Sequence, residues 1–377
     1  MKETKAGQEV LLDEIKKLHP DVKCELVNEF LVFEDQDIEE IDLNGVDLRY
    51  IEFTNCTINK CNFISCTMNS VLFTNCYIKS TSFSNSTFVD YNKFDMSYGQ
   101  DIKFNNIIIT NQLDFVGVDI DYCDFRGITF DGGWINANFA SIRNANFSGV
   151  NELNGTFRFT TFRYGNFRGA ILTNFDHYVD VEMSNCDFTN AKLYGIRHRA
   201  VSDFSDSTMA MCTLAHVNVE KVDFRRVNLD DATIENSSFD KCVFVNSSMK
   251  RIKMSGVSFS NCDTDFINAE QSNIADIRFD DKMNLQYANM VGSKMSNVSF
   301  GYMPLQNADI RNSVLTNITY RDVWFDIGVL NTDGVSIDGH SLDNITDGDL
   351  STGFAAFLKR SVKPIYVDVR KEIPTEC

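Results

Sequence analysis

The chain runs to 377 residues with 35 basic and 53 acidic side chains, a net charge of −18, and is 43% hydrophobic and 23% charged. These values fit a folded chain and exclude a disordered one; the acidic balance also excludes a general nucleic-acid binder, whose footprint is a basic face. With 31 Phe, 2 Trp, 4 Pro and 11 Cys, the sequence asks for many separate burial places and few interruptions.

Met1 to Leu18 is charged and lacks the apolar core of a secretory leader, and no run approaches the ~18 apolar residues of a membrane span. An odd number of cysteines without a leader points to reduced thiols and a cytoplasmic chain. Within residues 5–18, Leu11, Ile15 and Leu18 share one helical face, and His19-Pro20 ends that helix. The strand-like stretch Cys24 to Phe33 is placed to lie over the segment that begins near residue 41, so residues 1–40 read as an N-terminal helix/strand cap.

From Leu43 a new period takes over. Leu43, Leu48, Phe53, Ile58, Phe63, Met68, Phe73, Ile78, Phe83 and Phe88 fall in strict steps of five. Two places before each centre stands a small or β-branched residue, among them Cys56, Cys61, Cys66 and Cys76, and the remaining positions are mostly Ser, Thr, Asn, Asp and Lys. The phase then slips and recovers. Further runs cover Phe94 to Ile109 with Gly99 at one centre, Phe115 to Ile135, and Ile142 to Leu172 with Glu152 out of character. Met183 to Leu193, Phe204 to Phe279 with small centres at Thr264 and Ala269, and Met290 to Leu330 complete the set. Roughly 54 units can be counted.

Period five is neither the 3.6 of a helix nor the 2 of a strand. A chain that points two residues in five inward does so by turning a corner in each unit, and four corners close a square coil of about twenty residues. Coils stack through parallel-strand hydrogen bonds at ~4.8 Å, so the units make ~13 coils and a rod of roughly 65 Å. Residues twenty apart should lie above one another, with Leu43, Phe63 and Phe83 in one ladder and Leu48, Met68 and Phe88 in another.

This pattern resembles the pentapeptide-repeat family, whose unit is A-(D/N)-L-x-x. The nearest matches are Ala145-Asn146-Phe147, Cys186-Asp187-Phe188, Ala191-Lys192-Leu193, Val222-Asp223-Phe224 and Ala308-Asp309-Ile310. The chain departs from the pattern in using Cys, Val and Ser where Ala is commonest, and Phe more than Leu. The resemblance implies an all-β fold, a right-handed quadrilateral parallel β-helix over residues 41–335, with short α/β caps at both ends. At the far end, Asp349 or Ser351 is suited to N-cap a short helix carrying Phe354, Phe357 and Leu358, ahead of the strand-like Ile365 to Val369, so residues 336–377 read as the C-terminal cap. An element that covers a rod end can also join two rods, which admits a homodimer through a cap.

The slips near 89–94, 110–115, 135–142, 173–183, 194–204 and 280–290 read as bulges or small corner loops. Residues 173–203, with two slips and the cluster Arg197-His198-Arg199, are the favoured contact site. No residue is assigned a catalytic, cofactor-binding or metal-binding role. Cys56, Cys61 and Cys66 sit on successive faces of a square coil and do not converge on one metal. With Cys76, Cys123, Cys186, Cys212, Cys242 and Cys262 they fall in the small inward slot and act as small hydrophobes. Cys56 and Cys76, like Cys242 and Cys262, stack at a spacing that admits a disulfide, which a cytoplasmic location disfavours.

His19, His177, His198, His216 and His340 are scattered, without metal-ligand spacing, and no phosphate-binding or nucleophile motif is present. Asp and Glu take outward positions on a convex rod, where no concave pocket tunes an acid or base, so the chain reads as non-enzymatic. Lys221, Arg225, Arg226, Lys250, Arg251 and Lys253 fall on different faces and read as solvated surface.

The function expected is a protein-interaction scaffold, because rigid faces lose little entropy on binding. The resemblance extends this to bacterial effectors delivered into a host cell. It also implies an alternative, a rod that imitates DNA in width and charge and binds or protects the type II topoisomerase DNA gyrase. Acidic residues gather at the ends (Glu34, Asp35, Asp37, Glu39, Glu40; Asp333, Asp338, Asp343, Asp347, Asp349) rather than along one face, which favours the scaffold. The expected partner is a protein; no direct nucleic-acid contact, cofactor or membrane span is expected.

Overall fold

The computed structural model describes residues 2–173, 180–198, 202–279, 283–300, 307–320, 332–337 and 340–341. Helix α1 (Lys2–Leu18) comes first, with Leu11 and Ile15 buried and Lys16 and Lys17 in the last turn, where the helix dipole favours cations. Strands β1 (Glu25–Val27) and β2 (Phe30–Glu34) form an antiparallel hairpin whose two turn residues, Asn28 and Glu29, both have positive φ, as the tightest hairpin turn requires. From β2 onward pairing turns parallel. β2 lies beside β4 (Asp47–Thr54) with Leu31 opposite Ile51 and Phe33 opposite Phe53, and β3 (Asp37–Glu39) lies beside β5 (Thr57–Asn59). Inward-pointing pairs therefore begin at Leu31 and Phe33.

From there to Ile337 the described residues form a right-handed quadrilateral parallel β-helix. One column of bridges, Asp42, Asn62, Ser82, Lys103, Asp124, Asn146 and onward to Asp309, climbs thirteen steps, giving a rod of roughly 60 Å at ~4.8 Å per step. Most steps are 20 or 21 residues, and the step from Asp124 to Asn146 is 22. The phase slips of the sequence are thus one or two extra residues absorbed inside a coil, while the ladders above and below stay in register.

Large centres stack as expected. Phe63 and Phe83 lie 5.1 Å apart at 6°, and the ladder continues through Phe104, Phe125, Phe147 and Phe167 to Phe188 with centroid separations of 4.6–5.2 Å. Phe33, Phe53, Phe73, Phe94 and Phe115 make a second ladder. Offset stacking adds about 0.5–1.5 kcal/mol per pair beyond area burial. Phe from adjacent faces meets edge to face, as in Phe73–Phe83.

The small slot explains the departure from alanine. Cys66 Sγ donates to Leu43 O (3.0 Å), Ser86 Oγ to Phe63 O (2.7 Å), Cys186 Sγ to Phe162 O (2.8 Å) and Ser207 Oγ to Met183 O (2.8 Å). A short side chain with one donor fits the space of Ala and satisfies a buried carbonyl of the coil below.

Three positions differ from the five-step reading. Asn92, fully buried in the first slip, fills a slot: its Oδ1 accepts from Val71 N–H (3.0 Å) and its Nδ2 donates to Met68 O and Val89 O. Ile135 is buried, but opposite Leu113 in the slot, so Ala137 is the centre of its unit and the slip falls before Ile135. Glu152 is exposed because the chain shifts by one residue and buries Leu153 instead. Gly99 does hold a centre, opposite Ile78 and Ile120. Thr264 and Ala269 are also inward and buried, and beside them lies an apolar cavity of ≈ 20 Å³ bounded by Met249, Phe259, Met283 and Met290. Of the expected C-terminal cap only residues 336–337 and 340–341 are described, and they form a short antiparallel pair, Ser336 opposite Ser341 and Ile337 opposite His340. Leu305, Phe325, Leu330, the side chain of Tyr320 and the other residues of that cap lie outside the described residues. Among the described residues no helix is long and apolar enough to cross a membrane.

Candidate interaction surface

Each coil turns at residues in the left-handed region, two places after a centre. A side chain there meets its own backbone at a cost of about 1–2 kcal/mol, least for Gly, Asn and Asp. Most corners accordingly carry Asn, Asp, Gly, Ser or Lys. Among the others eight carry exposed large apolar or aromatic side chains: Met96, Tyr122, Phe139, Phe159, Tyr164, Met211, Phe266 and Tyr287 all sit at φ between 52° and 60°.

Several of these exceptions converge. One corner column reads Asn55, Asn75, Met96, Gly117, Phe139 and Phe159, linked rung to rung by bonds such as Met96 N–H to Val116 O and Phe139 N–H to Arg158 O. Met96 is 63% exposed, Phe139 65% and Phe159 48%, and the two phenyl rings stack at 5.2 Å and 11°. The next corner of the same coils carries Tyr122 and Tyr164, and the face between holds Tyr98 tilted at 34° over Tyr77, with ring centres 5.2 Å apart. Strained backbone combined with apolar side chains in water is disfavoured twice, which makes this ridge the candidate contact surface.

The flanks of the ridge are polar. On one side Lys93 Nζ lies 3.3 Å from Asp95 and 4.6 Å from the centre of the Tyr91 ring. Asp114, buried in the next coil, accepts from Gln112 (2.7 Å) and Asn136 (2.8 Å). Burial pushes the Asp95 carboxyl up, opposed by the Lys93 charge, and its Oδ1 has no partner among the described residues. On the other side Arg143 reaches Asp119 at 2.8 Å, and Arg163 pairs with Glu182.

A second concavity, ≈ 390 Å³, lies where α1 meets the first coils and is lined by Gln8, Leu11, Asp47, Arg49, Tyr50 and Asn69. Its polar groups satisfy one another apart from Gln8 Oε1, which is buried without a partner among the described residues. Gln8 Nε2 donates to Arg49 O, and Arg49 forks onto Asp47 through Nε (3.0 Å) and NH2 (2.6 Å).

The sites expected from sequence fare unevenly. Arg197 and His198 form a strand beside Asn218 and Val219, while their side chains and all of Arg199 lie outside the described residues. The nine slot cysteines are buried free thiols, joined by Cys24. Burial pushes Cys123, Cys186 and Cys212 up to about 12, and in the stacked pairs the neighbouring sulfur and burial push Cys76 and Cys242 upward, so these thiols stay protonated near neutrality. Among the described residues no three His, Cys, Asp or Glu side chains converge as metal ligands. Arg226 pairs with Asp206, Arg251 with Asp231 and Arg225 with Asp223. The exposed ridge went unread because periodicity looks for large residues at centres, whereas its signal is a large residue two places later, as in Ala137-Asn138-Phe139.

Two family models match the sequence, one described as pentapeptide repeats (8 copies) over residues 202–244 and one as a pentapeptide repeat region over residues 232–310. Both lie C-terminal to the ridge. No curated protein matches the chain. Among solved structures, trypsin-treated QnrB1, a plasmid-mediated fluoroquinolone resistance protein, is 12% identical, with 54% of this chain and 90% of that one covered at a TM-score of 0.27. HetL, involved in heterocyst differentiation regulation in the cyanobacterium Nostoc sp. strain PCC 7120, is 16% identical, with 64% and 88% covered at 0.20. Rfr23 from the cyanobacterium Cyanothece 51142 is 16% identical, with 36% and 90% covered at 0.15.

Proposed function

Because the chain is a pentapeptide-repeat protein, with its apolar mass locked in the solenoid core, we propose that it works as a non-catalytic protein-interaction scaffold whose contact surface is the Met96–Phe159 ridge. The observation that carries this reading is the pair Phe139 and Phe159, both exposed and both in a backbone conformation that suits Asn. Aromatic anchors flanked by arginine are the side chains that dominate protein interfaces, and a rigid rod presents them without an ordering cost.

The corner geometry supplies the test. The double variant Phe139→Asn/Phe159→Asn places a better corner residue at each site, so its thermal stability should equal or exceed that of the native chain. Used as bait in lysates, it should lose the proteins that the native rod retains. Unchanged capture would remove the ridge from the reading.

Imitation of DNA is the second reading, and the net charge of −18 is what favours it. Against it, opposite charges alternate between coils, as in Glu40–Lys60, Asp206–Arg226 and Asp231–Arg251, which interrupts any continuous negative stripe. Recovery of topoisomerase subunits, weakened by salt and indifferent to the two Asn substitutions, would put the mimic in place of the scaffold.

A further inference from the structure

The ridge changes character along its length. In its first half Met96 leans across the next corner, where a Cβ on Gly117 would come within 2.6 Å of the Met96 sulfur. The charges beside this low half are three carboxylates, Asp95, Asp101 and Asp119, against one cation, Lys93, which lies 3.3 Å from Asp95; Asp119 is reached by Arg143 of the coil above. In its second half Phe139 and Phe159 stand out from the corner, and the charges beside them are Arg143, Arg158 and Arg163. Arg158 is exposed and makes no ion pair among the described residues.

Resting on the reading of this ridge as a protein-binding surface, we propose that its occupant is a second copy of this chain, packed antiparallel about a two-fold axis between the Gly117 and Phe139 coils. That operation lays the Phe139 coil on the Gly117 coil of the other copy, and the Phe159 coil on the Met96 coil. Both phenyl rings then land on the thioether of Met96, a flexible and polarizable floor suited to aromatic contact. Each lengthwise row of side chains meets itself reversed. Arg158 therefore faces Asp95 of the second copy, and Arg143 faces Asp121. Parallel rods would set Phe139 against Phe139 and acid against acid, so the charge pattern selects the antiparallel arrangement. Four coils at ~4.8 Å supply about 20 Å of contact, at the small end of specific interfaces, so the dimer should dissociate in the range of about 10–100 μM.

Sedimentation velocity on the purified full-length chain, from about 1 to 300 μM, tests this. The native chain should pass from monomer to dimer. Phe139→Asn/Phe159→Asn and Met96→Asn, both suited to their corners and checked for folding by circular dichroism, should remain monomeric. Arg158→Glu and Asp95→Arg should each raise the dissociation constant more than tenfold, yet an equimolar mixture of the two should dimerise, because in the mixed dimer both facing pairs are again of opposite sign. A native chain monomeric throughout, a dimer that survives the ridge substitutions, or a mixture that fails to recover overturns the proposal. A monomeric native chain whose ridge variant still loses a lysate partner would sink the second-copy proposal alone. A ridge-dependent dimer with ridge-independent lysate capture would leave the dimer standing and remove the wider scaffold reading.

Discussion

Asn92 is the buried polar residue that lets the first extra residue fit inside a coil, and removing it should be costly. Its amide makes three bonds in a fully buried slot: Val71 N–H to Oδ1 at 3.0 Å, and Nδ2 to Met68 O at 3.2 Å and to Val89 O at 2.9 Å. Asn92→Ala orphans one buried N–H, at about 1–3 kcal/mol, and takes a donor from two carbonyls, at about 0.5–1 kcal/mol each, for a total of about 3 kcal/mol. Asn92→Leu should cost about 1 kcal/mol more, because it also denies water the slot. Asn92→Asp keeps the acceptor but turns a carboxylate on two carbonyl oxygens. It should therefore be worse than alanine at neutral pH and recover on acidification, when the protonated acid donates to one of them. Urea unfolding followed by circular dichroism gives the midpoints, and amide exchange at Val71 reads the orphaned donor directly. An alanine variant within about 0.5 kcal/mol of native, with Val71 still protected, would refute the claim that this side chain closes the slip.

Gly99→Ala should be among the most damaging single changes, since its Cβ would sit 1.8 Å from Ile78 O, a backbone atom that cannot step aside. Prising the two coils apart breaks ladder bonds on both sides of position 99 and should cost at least about 2 kcal/mol in a urea titration; a midpoint shift below a quarter of that would contradict it. Asp95→Asn removes a carboxyl whose pKa is raised by burial. A raised folded pKa means that native stability falls as pH rises through the window just above the ordinary Asp value, so the variant's thermal advantage should grow across that window and vanish below it. An advantage independent of pH would point to some other cause. Ala269→Val should fill part of the ≈ 20 Å³ cavity beside it and raise stability by about 0.5–1 kcal/mol; a loss would mean that the neighbouring Met side chains already close the space in solution.

Most of the solenoid was legible because its rule is local. A large residue every five positions can be followed by eye, and the stacking of Phe63 on Phe83 is that arithmetic made visible. Where one or two residues are added, neighbouring phases compete, and only the cross-coil register decides between them. Ile135 and Glu152 were placed at centres for that reason, while pairing with Leu113 and the burial of Leu153 place them otherwise. The choice of Cys and Ser for the slot was visible as a departure from alanine, but the carbonyl it satisfies lies 23 or 24 residues earlier and appears only once the coils are stacked. The ridge was hidden by the assumption that a phenylalanine is a core residue. Phe139 and Phe159 became surface features only when the corner positions were fixed, and they share one edge because they lie a single coil of twenty residues apart in the same corner column.

The constancy of the coil step has a consequence for how such a chain forms and grows. Cross-coil partners in the solenoid lie about twenty residues apart, whether they belong to the first coil or the last. Loop closure therefore costs the same at each addition, and the average reach of a contact relative to chain length shrinks as the rod lengthens. A finished coil offers the next segment a complete template, so ordering can spread coil by coil from wherever it starts, and a duplicated coil lengthens the rod without asking anything of distant ones. The weak point of such a zipper is a coil that pairs badly with its neighbour, which would divide one cooperative unit into two.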